Sequence, residues 1–345
     1  MRERRESLGA EAKTMKALVY TKPNTLEWRD EPEPLPGNDE VLVKVDAVGI
    51  CGSDMHGYHG HDSRRPPPLV LGHEAAGSVV SGPNKGKRVA VNPLIACGAC
   101  QWCLSGRPHL CPSRELLSVP PRHGAFAELV RVPERNLFPI PDGLDTTKAA
   151  LTEPLAVAYH AVCLGERLLA RPLSASASAV LGGGAIGLGC ALVLSMQGAG
   201  AIHIGEPNAA RRKTASRAGE FCCYAPDESG EPAQSSMDLV IDAVGSKSTR
   251  MAASRLIRPG GVIVHAGLLP GAEGLHVRKI TLQEIIFTGT YCYTPLEFRE
   301  TLDAIAAGRL GALDWIEQRP LSEGPQAFRD LDAGATAAAK IVLRP

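Results

Sequence analysis

Residues 177–187 read Ala-Ser-Ala-Val-Leu-Gly-Gly-Gly-Ala-Ile-Gly, a short apolar run that ends in glycines. The pattern G-x-G-x-x-G is typical of a tight turn between a strand and a helix that binds a dinucleotide. It is formed here by Gly182, Gly184 and Gly187. A predicted helix, 186–197, and a second predicted strand, 201–205, follow, and the strand ends at the acidic residue Glu206. The stretch therefore predicts a βαβ unit of a doubly wound parallel sheet.

Each part of this unit has an expected role in nucleotide binding. Gly182 permits the tight turn, Gly184 lets a pyrophosphate approach the backbone, and Gly187 allows close packing of helix on strand. Free N–H groups at the helix N-terminus attract phosphates. Glu206 is expected to accept hydrogen bonds from the adenosine ribose and to repel a 2′-phosphate, which favours NAD over NADP. Two further candidate cofactor contacts lie nearby, Ile186 and Arg211.

Composition limits the class of protein. The chain has 345 residues, with 37 basic and 37 acidic side chains and a pI near 7.1. A chain of this length is longer than a single hydrophobic core usually serves, which predicts two domains. Proteins that wrap nucleic acid or coat an anionic membrane need a basic surplus, so the zero net charge argues against both partners. Ten cysteines are too few for a disulfide-rich secreted module, and no signal-peptide pattern precedes them, which predicts a cytoplasmic protein with reduced thiols.

One stretch is long enough on length alone to span a bilayer, since residues 173–202 include no charged side chain. Serines and glycines interrupt it, and the order strand, turn, helix, strand accounts for each interruption. We therefore interpret it as a buried βαβ unit.

The rest of the chain divides into three segments with different residue patterns. Residues 1–14 are charged and lack apolar periodicity, which predicts a disordered extension. From Met15 to about Leu151, short apolar alternations broken by Gly and Pro indicate an all-β unit. After Glu153, strands alternate with Ala-rich helices, as expected for a parallel sheet.

Four cysteines are spaced C-x2-C-x2-C-x7-C: Cys97, Cys100, Cys103 and Cys111. Four thiolates on one short loop favour a closed, tetrahedral structural zinc site. Two alternatives stay open from the residues alone. Ferredoxin-type iron–sulfur clusters use a similar run, but with three residues before the last cysteine. A nucleic-acid-binding zinc module would need the basic charge that this chain lacks.

A second set of metal-binding side chains is dispersed. It comprises Cys51-Gly-Ser53-Asp54-Met-His56, then Gly72-His73-Glu74, then Thr152-Glu153-Pro154. A thiolate, an imidazole and carboxylates form a mixed-ligand site that can keep one position open, as catalytic zinc requires.

Taken in this order, the motifs resemble those of the zinc-dependent medium-chain dehydrogenase/reductase family, which includes alcohol, sorbitol and threonine dehydrogenases. The resemblance runs from about Met15 to the end of the chain. It implies a GroES-like, β-rich catalytic domain over 15–155 and 295–345, and a Rossmann NAD-binding domain over 156–294. An apolar helix over 296–307 and a strand over 340–343 fit a return to the first domain.

The resemblance also implies a role for each candidate metal ligand. Cys51, His73 and Glu74 would bind a catalytic zinc, with Glu153 exchanging with a water for the remaining position. Asp54 would hold His73 in the tautomer that binds metal. With the four-cysteine loop, this implies two zinc ions per chain.

The implied reaction is hydride transfer between an alcohol and NAD. Zinc lowers the pKa of the substrate hydroxyl, and the proton leaves through Ser53 and His56, which match the family's relay positions. Sorbitol dehydrogenases place an Arg before the residue that matches Tyr291, whereas this chain has Thr290. That difference disfavours sorbitol itself and leaves other polar secondary alcohols open: polyols, polyol phosphates, sugars, sugar acids and amino acids.

Two further functions stay open at this level. One is an NADP-dependent aldehyde or ketone reductase, and the other is a catalytically silent protein of the same fold that binds zinc and NAD. The implied partners are a small alcohol or ketone substrate and, by the family's habit, other copies of the chain in a homodimer or homotetramer.

Overall fold

The structure is a computed structural model that describes residues 13–226 and 229–345. The strands are β1 (Thr14–Lys22), β2 (Thr25–Pro32), β3 (Glu40–Gly49), β4 (Leu69–Val70), β5 (Glu74–Val79), β6 (Arg88–Val91), β7 (Leu94–Ile95), β8 (Glu115–Leu116), β9 (Leu129–Pro133), β10 (Leu137–Pro139), β11 (Ser178–Leu181), β12 (Ile202–Gly205), β13 (Cys222–Tyr224), β14 (Met237–Asp242), β15 (Ile257–His265), β16 (Ile286–Gly289), β17 (Ile316–Pro320) and β18 (Lys340–Arg344). The α-helices are α1 (Gly52–Tyr58), α2 (Gln101–Leu104), α3 (Thr146–Ala150), α4 (Thr152–Leu168), α5 (Ala185–Met196), α6 (Ala209–Ala218), α7 (Lys247–Leu256), α8 (Val277–Leu282), α9 (Pro295–Ala306) and α10 (Gly324–Asp332).

The second half of the chain forms a six-stranded sheet in the order β13-β12-β11-β14-β15-β16, with every pair parallel. In chain order this is 3-2-1-4-5-6, the strand order of a doubly wound Rossmann sheet. The predicted fold class is therefore confirmed. The predicted strand, helix and strand around the glycine turn match β11, α5 and β12 to within one residue at each end.

Helices α4 and α5 pack against each other beside this sheet. Leu155 and Ala158 on α4 are buried, as are Leu188 and Ala191 on α5. A side chain at Gly189 would lie 3.0 Å from Ala158 Cβ, so glycine allows the two helices to approach closely. In the part of the chain that the structure describes, no helix combines the length and apolarity that crossing a membrane requires.

The first half of the chain is built around a seven-stranded, mostly antiparallel sheet. Its main path runs β10-β6-β5-β3-β18-β17, and β9 pairs with β3. The last two strands thus come from the end of the chain. Because β18 pairs with β3 at Val342 and Gly49, it lies beside the backbone that leads into Cys51.

The structure bears on the predicted N-terminal extension and on the all-β interpretation of residues 15–151. Of the predicted extension 1–14, residues 1–12 lie outside the described residues, and Thr14 is the first residue of β1. The all-β interpretation of 15–151 missed the helices α1, α2 and α3. The sequence of α1 has no apolar periodicity. Its start is instead fixed by a capping interaction, in which the Asp54 carboxylate accepts the Cys51 N–H at 3.0 Å.

Candidate metal and cofactor sites

Three predicted ligands, distant in sequence, meet at one point. Ligand atoms of Cys51, His73 and Glu74 all lie within 4.8 Å of one another. Cys51 caps α1, and Glu74 is the first residue of β5, directly after His73. His73 and Glu74 are buried and Cys51 is half-buried, so the group has one accessible side.

The surroundings of Glu74 leave one carboxylate oxygen for a metal. Oε1 accepts a hydrogen bond from Lys340 Nζ at 2.6 Å, and the same ammonium donates to Ile50 O at 2.8 Å. Oε2 is buried and has no hydrogen-bond partner among the described residues. A side chain at Gly49 would overlap this oxygen, so glycine keeps its space free. A buried, unpaired carboxylate oxygen beside a thiol and an imidazole fits a zinc ligand.

Asp54 orients the imidazole of His73. Its Oδ1 lies 3.4 Å from His73 Nδ1, and its two oxygens also accept the N–H groups of Cys51 and Gly72 at 3.0 and 3.2 Å. Burial acts to raise the pKa of Asp54, but the charge and hydrogen bond of His73, together with the charge of Arg65 and the Cys51 N–H, outweigh it and leave that pKa below its usual value. Asp54 is therefore an anion that holds Nδ1 and leaves Nε2 available to a metal.

Glu153 borders this group but is not part of it. It lies in the first turn of α4 and is buried, and Tyr293 donates a hydrogen bond to its Oε1 at 2.9 Å. Burial raises the pKa of Glu153 to about 7, with the negative charge of Glu74 adding to the effect and His73 opposing it. The structure thus brings three of the four predicted catalytic-site ligands into one cluster and places the fourth next to it.

The four cysteines of the loop also come together. Their sulfur atoms all lie within 4.8 Å of one another, and Cys103 Sγ is 3.5 Å from Cys100 Sγ and 3.9 Å from Cys97 Sγ. Hydrogen bonds from the N–H groups of Ala99 and Cys100 lower the pKa of the Cys97 thiol to about 6, which favours a thiolate. The group fits a closed tetrahedral metal site.

The two predicted relay residues share α1. Ser53 lies in its first turn and His56 one turn later, so the two side chains occupy the same side of the helix. Burial lowers the pKa of His56, and repulsion from His59 and His61 lowers it further. His56 is therefore a neutral base at pH 7, able to accept a proton.

The glycine turn has the geometry that a dinucleotide site needs. Gly182 has φ 102°, and a side chain at Gly187 would overlap Gly182 O. Gly184 is the N-cap residue of α5, and there is open space where its side chain would lie. Because glycine offers no side-chain acceptor, no capping side chain competes for the backbone N–H groups of the first helical turn, which include that of Ile186. These features fit a pyrophosphate on the backbone.

Glu206 is anchored at the same turn. Its Oε2 accepts the Gly183 N–H and its Oε1 accepts the Asn208 N–H, both at 2.8 Å, and the residue is 5% exposed. Each oxygen keeps a second lone pair for a ribose hydroxyl. Arg211, on α6, has a buried Nε without a hydrogen-bond partner among the described residues.

Three residues of these sites were not found from the sequence: Lys340, Tyr293 and Arg65. Each is a buried polar side chain that reaches the candidate metal ligands or relay from a distant or motif-free segment. The only sequence signal for any of the three was the position of Lys340 at the start of an apolar run near the end of the chain.

Two family models match the chain. Residues 37–142 match the family model of the alcohol dehydrogenase GroES-like domain, and residues 185–307 match that of the zinc-binding dehydrogenase. The L-galactonate-5-dehydrogenase of Escherichia coli K12 is 33% identical over 87% of this chain and 89% of its own.

Two solved structures share the whole fold. A putative zinc-binding dehydrogenase from Sinorhizobium meliloti, bound to NADP, is 31% identical with a TM-score of 0.85 and covers 96% of this chain and 100% of its own. A protein from E. coli CFT073 described as a short chain alcohol dehydrogenase, in complex with NADH, is 26% identical with a TM-score of 0.86 over 96% and 99% of the two chains.

Proposed function

The chain belongs to the zinc-binding, GroES-like alcohol dehydrogenase family, and from that membership we propose that it transfers hydride between a polar secondary alcohol and NAD. The enzyme class, an NAD(P)-dependent zinc alcohol dehydrogenase, follows from the family. The observation that carries the proposal is the cluster of Cys51, His73 and Glu74, in which one Glu74 oxygen is buried and has no hydrogen-bond partner among the described residues.

Two metal sites of different character are part of the proposal. Cys51, His73 and Glu74 would hold a catalytic zinc, which supplies a Lewis acid for the substrate hydroxyl. Glu153, held by Tyr293 at the border of the group, would exchange with a water for the remaining position. The four cysteines of the loop would hold a structural zinc.

Proton transfer falls to side chains on α1. Bound NAD would supply the hydride acceptor. Ser53 Oγ would accept the proton of the substrate hydroxyl and pass its own proton towards His56. His56, whose pKa burial lowers, takes up that proton and releases it at the accessible side of the site. In the reverse direction the same groups supply the proton to a ketone.

The cofactor is proposed to be NAD. The Glu206 carboxylate sits at the turn where the adenosine ribose would lie, and its negative charge opposes a 2′-phosphate. The relative that is bound to NADP supports the alternative, an NADP-dependent aldehyde or ketone reductase. Comparing turnover with NAD and NADP at equal concentrations separates the two.

The substrate class is proposed to be a polyol or sugar acid. The relative named for L-galactonate supports a sugar acid. Arg114 adds a local reason, because its guanidinium lies 4.8 Å from the Tyr291 ring centroid and donates hydrogen bonds to two uncharged oxygens, Tyr291 Oη and Cys111 O. Tyr293, two residues after Tyr291, donates a hydrogen bond to Glu153 Oε1 at 2.9 Å, so this segment runs beside Glu153 at the border of the candidate metal group. A panel of polyols, aldonates and amino acids, monitored at the NADH absorbance band, tests the assignment.

We further propose that the chain assembles with copies of itself. In the described part of the sheet, β16 pairs on one side only, with β15. Its residues Ile286 and Phe287 are 38% and 37% exposed. An open, apolar strand edge is a surface that proteins cover. Light scattering should give a mass of at least two chains, and a monomer would contradict this.

We also propose the domain boundaries and the cellular location. The division into 15–155 with 295–345 and 156–294 agrees with the two sheets, since β17 and β18 join the sheet of the first half. The cytoplasm is the proposed location, because thiolates in both candidate metal groups must stay reduced to bind metal.

A further inference from the structure

Arg65 is a buried arginine beside the proposed relay. It lies in the segment between α1 and β4, and its side chain is 1% exposed. Its guanidinium carries five N–H donors, and each finds an acceptor within 3.5 Å. The acceptors are Ser118 O for Nε (3.0 Å), Ser53 O (3.0 Å) and Asp62 Oδ2 (2.7 Å) for Nη1, and Ser53 Oγ and Ser118 Oγ (both 3.5 Å) for Nη2.

This arrangement restricts what the Ser53 hydroxyl can do. A guanidinium only donates, so the Arg65 contact occupies one of the two lone pairs of Ser53 Oγ. One lone pair and the O–H remain. A proton can then enter Ser53 only through that remaining lone pair and leave only along its own O–H bond. Arg65 also fixes the Ser53 backbone through Ser53 O, so the first turn of α1 and the hydroxyl are held together.

The same guanidinium reaches the candidate metal group from a second side. Ser118 Oγ lies 3.4 Å from His73 Nδ1, and Ser118 accepts from Arg65 through both its carbonyl and its hydroxyl. Ser118 has φ 64°, an uncommon conformation that the Arg65 bonds help to hold. Arg65 thus connects the relay serine with the neighbour of a proposed zinc ligand.

We propose that Arg65 is a positioning residue of the proton relay, which orients the Ser53 hydroxyl and fixes it relative to the His73 side of the site. The inference rests on the proposed function, because it requires Ser53 to carry the substrate proton. Arg65 acts through Ser53 and does not touch substrate. Asp62 balances its charge, and Lys could not replace it, since an ammonium has three donors and no planar fork.

A double-mutant cycle tests the inference on the zinc-loaded enzyme. R65Q and S53A are compared singly and together, with kcat, KM for NAD and the solvent deuterium isotope effect as readouts. We expect R65Q to lower kcat about tenfold or more and to enlarge the isotope effect, with KM for NAD within about twofold of the parent. In the S53A background, R65Q should change kcat by less than about twofold, because the hydroxyl that it orients is gone.

Controls separate positioning from loss of structure. Arg64 binds the same Asp62 but is 57% exposed, so R64Q should retain the parent kcat. Zinc content and the dissociation constant for NADH, measured by fluorescence titration, should be unchanged in R65Q. R65K serves if R65Q does not fold, and it should also lose kcat although it keeps the charge.

The outcomes are distinct. Losses that multiply in the double variant, or full kcat in R65K, would overturn the role of Arg65 and leave the proposed function intact. Full kcat in S53A would overturn the relay itself, and this inference with it. Non-multiplying losses with unchanged NADH binding support both.

Discussion

Lys340 Nζ lies 2.6 Å from Glu74 Oε1, and the two side chains are 3% and 0% exposed. The last strand of the chain thus supplies the counter-charge for a candidate metal ligand in the first half. Burial acts to lower the pKa of Lys340, but the charge and hydrogen bond of Glu74, together with the charges of Cys51 and Glu153, outweigh it and raise that pKa. The pair fixes one carboxylate oxygen and leaves the other for a metal. Completion of the site therefore depends on β18 joining β3.

Removing the ammonium should destabilise the metal-free protein strongly. K340M leaves the Glu74 carboxylate buried without its partner, and breaking such a pair costs about 3–5 kcal/mol. Urea unfolding of the metal-free protein measures the loss. The matched control is K16M, whose partner Asp30 is 60% exposed and whose loss should cost less than about 1 kcal/mol. Equal losses of unfolding free energy in the two variants would show that the buried pair stabilises the protein no more than the exposed pair does.

A second buried pair should make the folding stability fall at acid pH, in the acid limb of the stability profile. Glu297 Oε2 lies 2.9 Å from His160 Nδ1 and joins α9 to α4. Burial acts to raise the pKa of Glu297, but His160 and the Thr294 N–H outweigh it and hold that pKa below its usual value. The folded state then binds fewer protons than the unfolded state, so this stabilisation is present above pH 4.5 and is lost as pH falls through the lower, folded pKa.

E297Q should accordingly flatten the loss of stability below pH 4.5 and lower stability at pH 7 by about 1–2 kcal/mol, since a charged hydrogen-bond acceptor is removed. Denaturant titrations across this pH range give the comparison, with E300Q on the same helix as the control. A parent-like acid limb in E297Q would exclude the pair as its source.

Glu206 should control the choice of cofactor. E206A removes the charge that opposes a 2′-phosphate and the acceptor for the Gly183 and Asn208 N–H groups. We expect the ratio of kcat/KM for NAD to that for NADP to fall at least about tenfold, mainly through weaker NAD binding. E206Q keeps an acceptor without the charge and separates the two effects. A parent ratio in both variants would mean that the ribose lies elsewhere.

The two metal groups should lose zinc independently. C51S should remove one zinc per chain and abolish turnover, with a small change in Tm. C103S should also remove one zinc, but with a large fall in Tm, because four thiolates close that loop. Zinc analysis and thermal unfolding give both readouts, and C190S, at a buried thiol outside both groups, is the control. Full zinc content in either variant would contradict that assignment.

Local chemistry was predictable from the sequence, and long-range partners were not. The glycine turn and the four-cysteine loop depend on spacing within about fifteen residues, and the structure reproduces the turn to within one residue at each boundary and closes the loop into one cluster. Cys51, His73 and Glu74 were identified by chemical type and order. Lys340 and Tyr293 reach this site across 266 and 140 residues, and no motif marks them. Helix α1 was missed because a cap, and not apolar periodicity, fixes its start.

The Cys51, His73 and Glu74 group is proposed to support NAD-linked oxidation of a polar secondary alcohol. The most direct measurement is NADH formation by the zinc-loaded protein across matched polyols and aldonates, with C51S as the blank. We predict NAD-dependent turnover on at least one of these substrates, and none in C51S. Absence of turnover in a protein that holds its full zinc and binds NADH, or equal turnover in C51S, would contradict it.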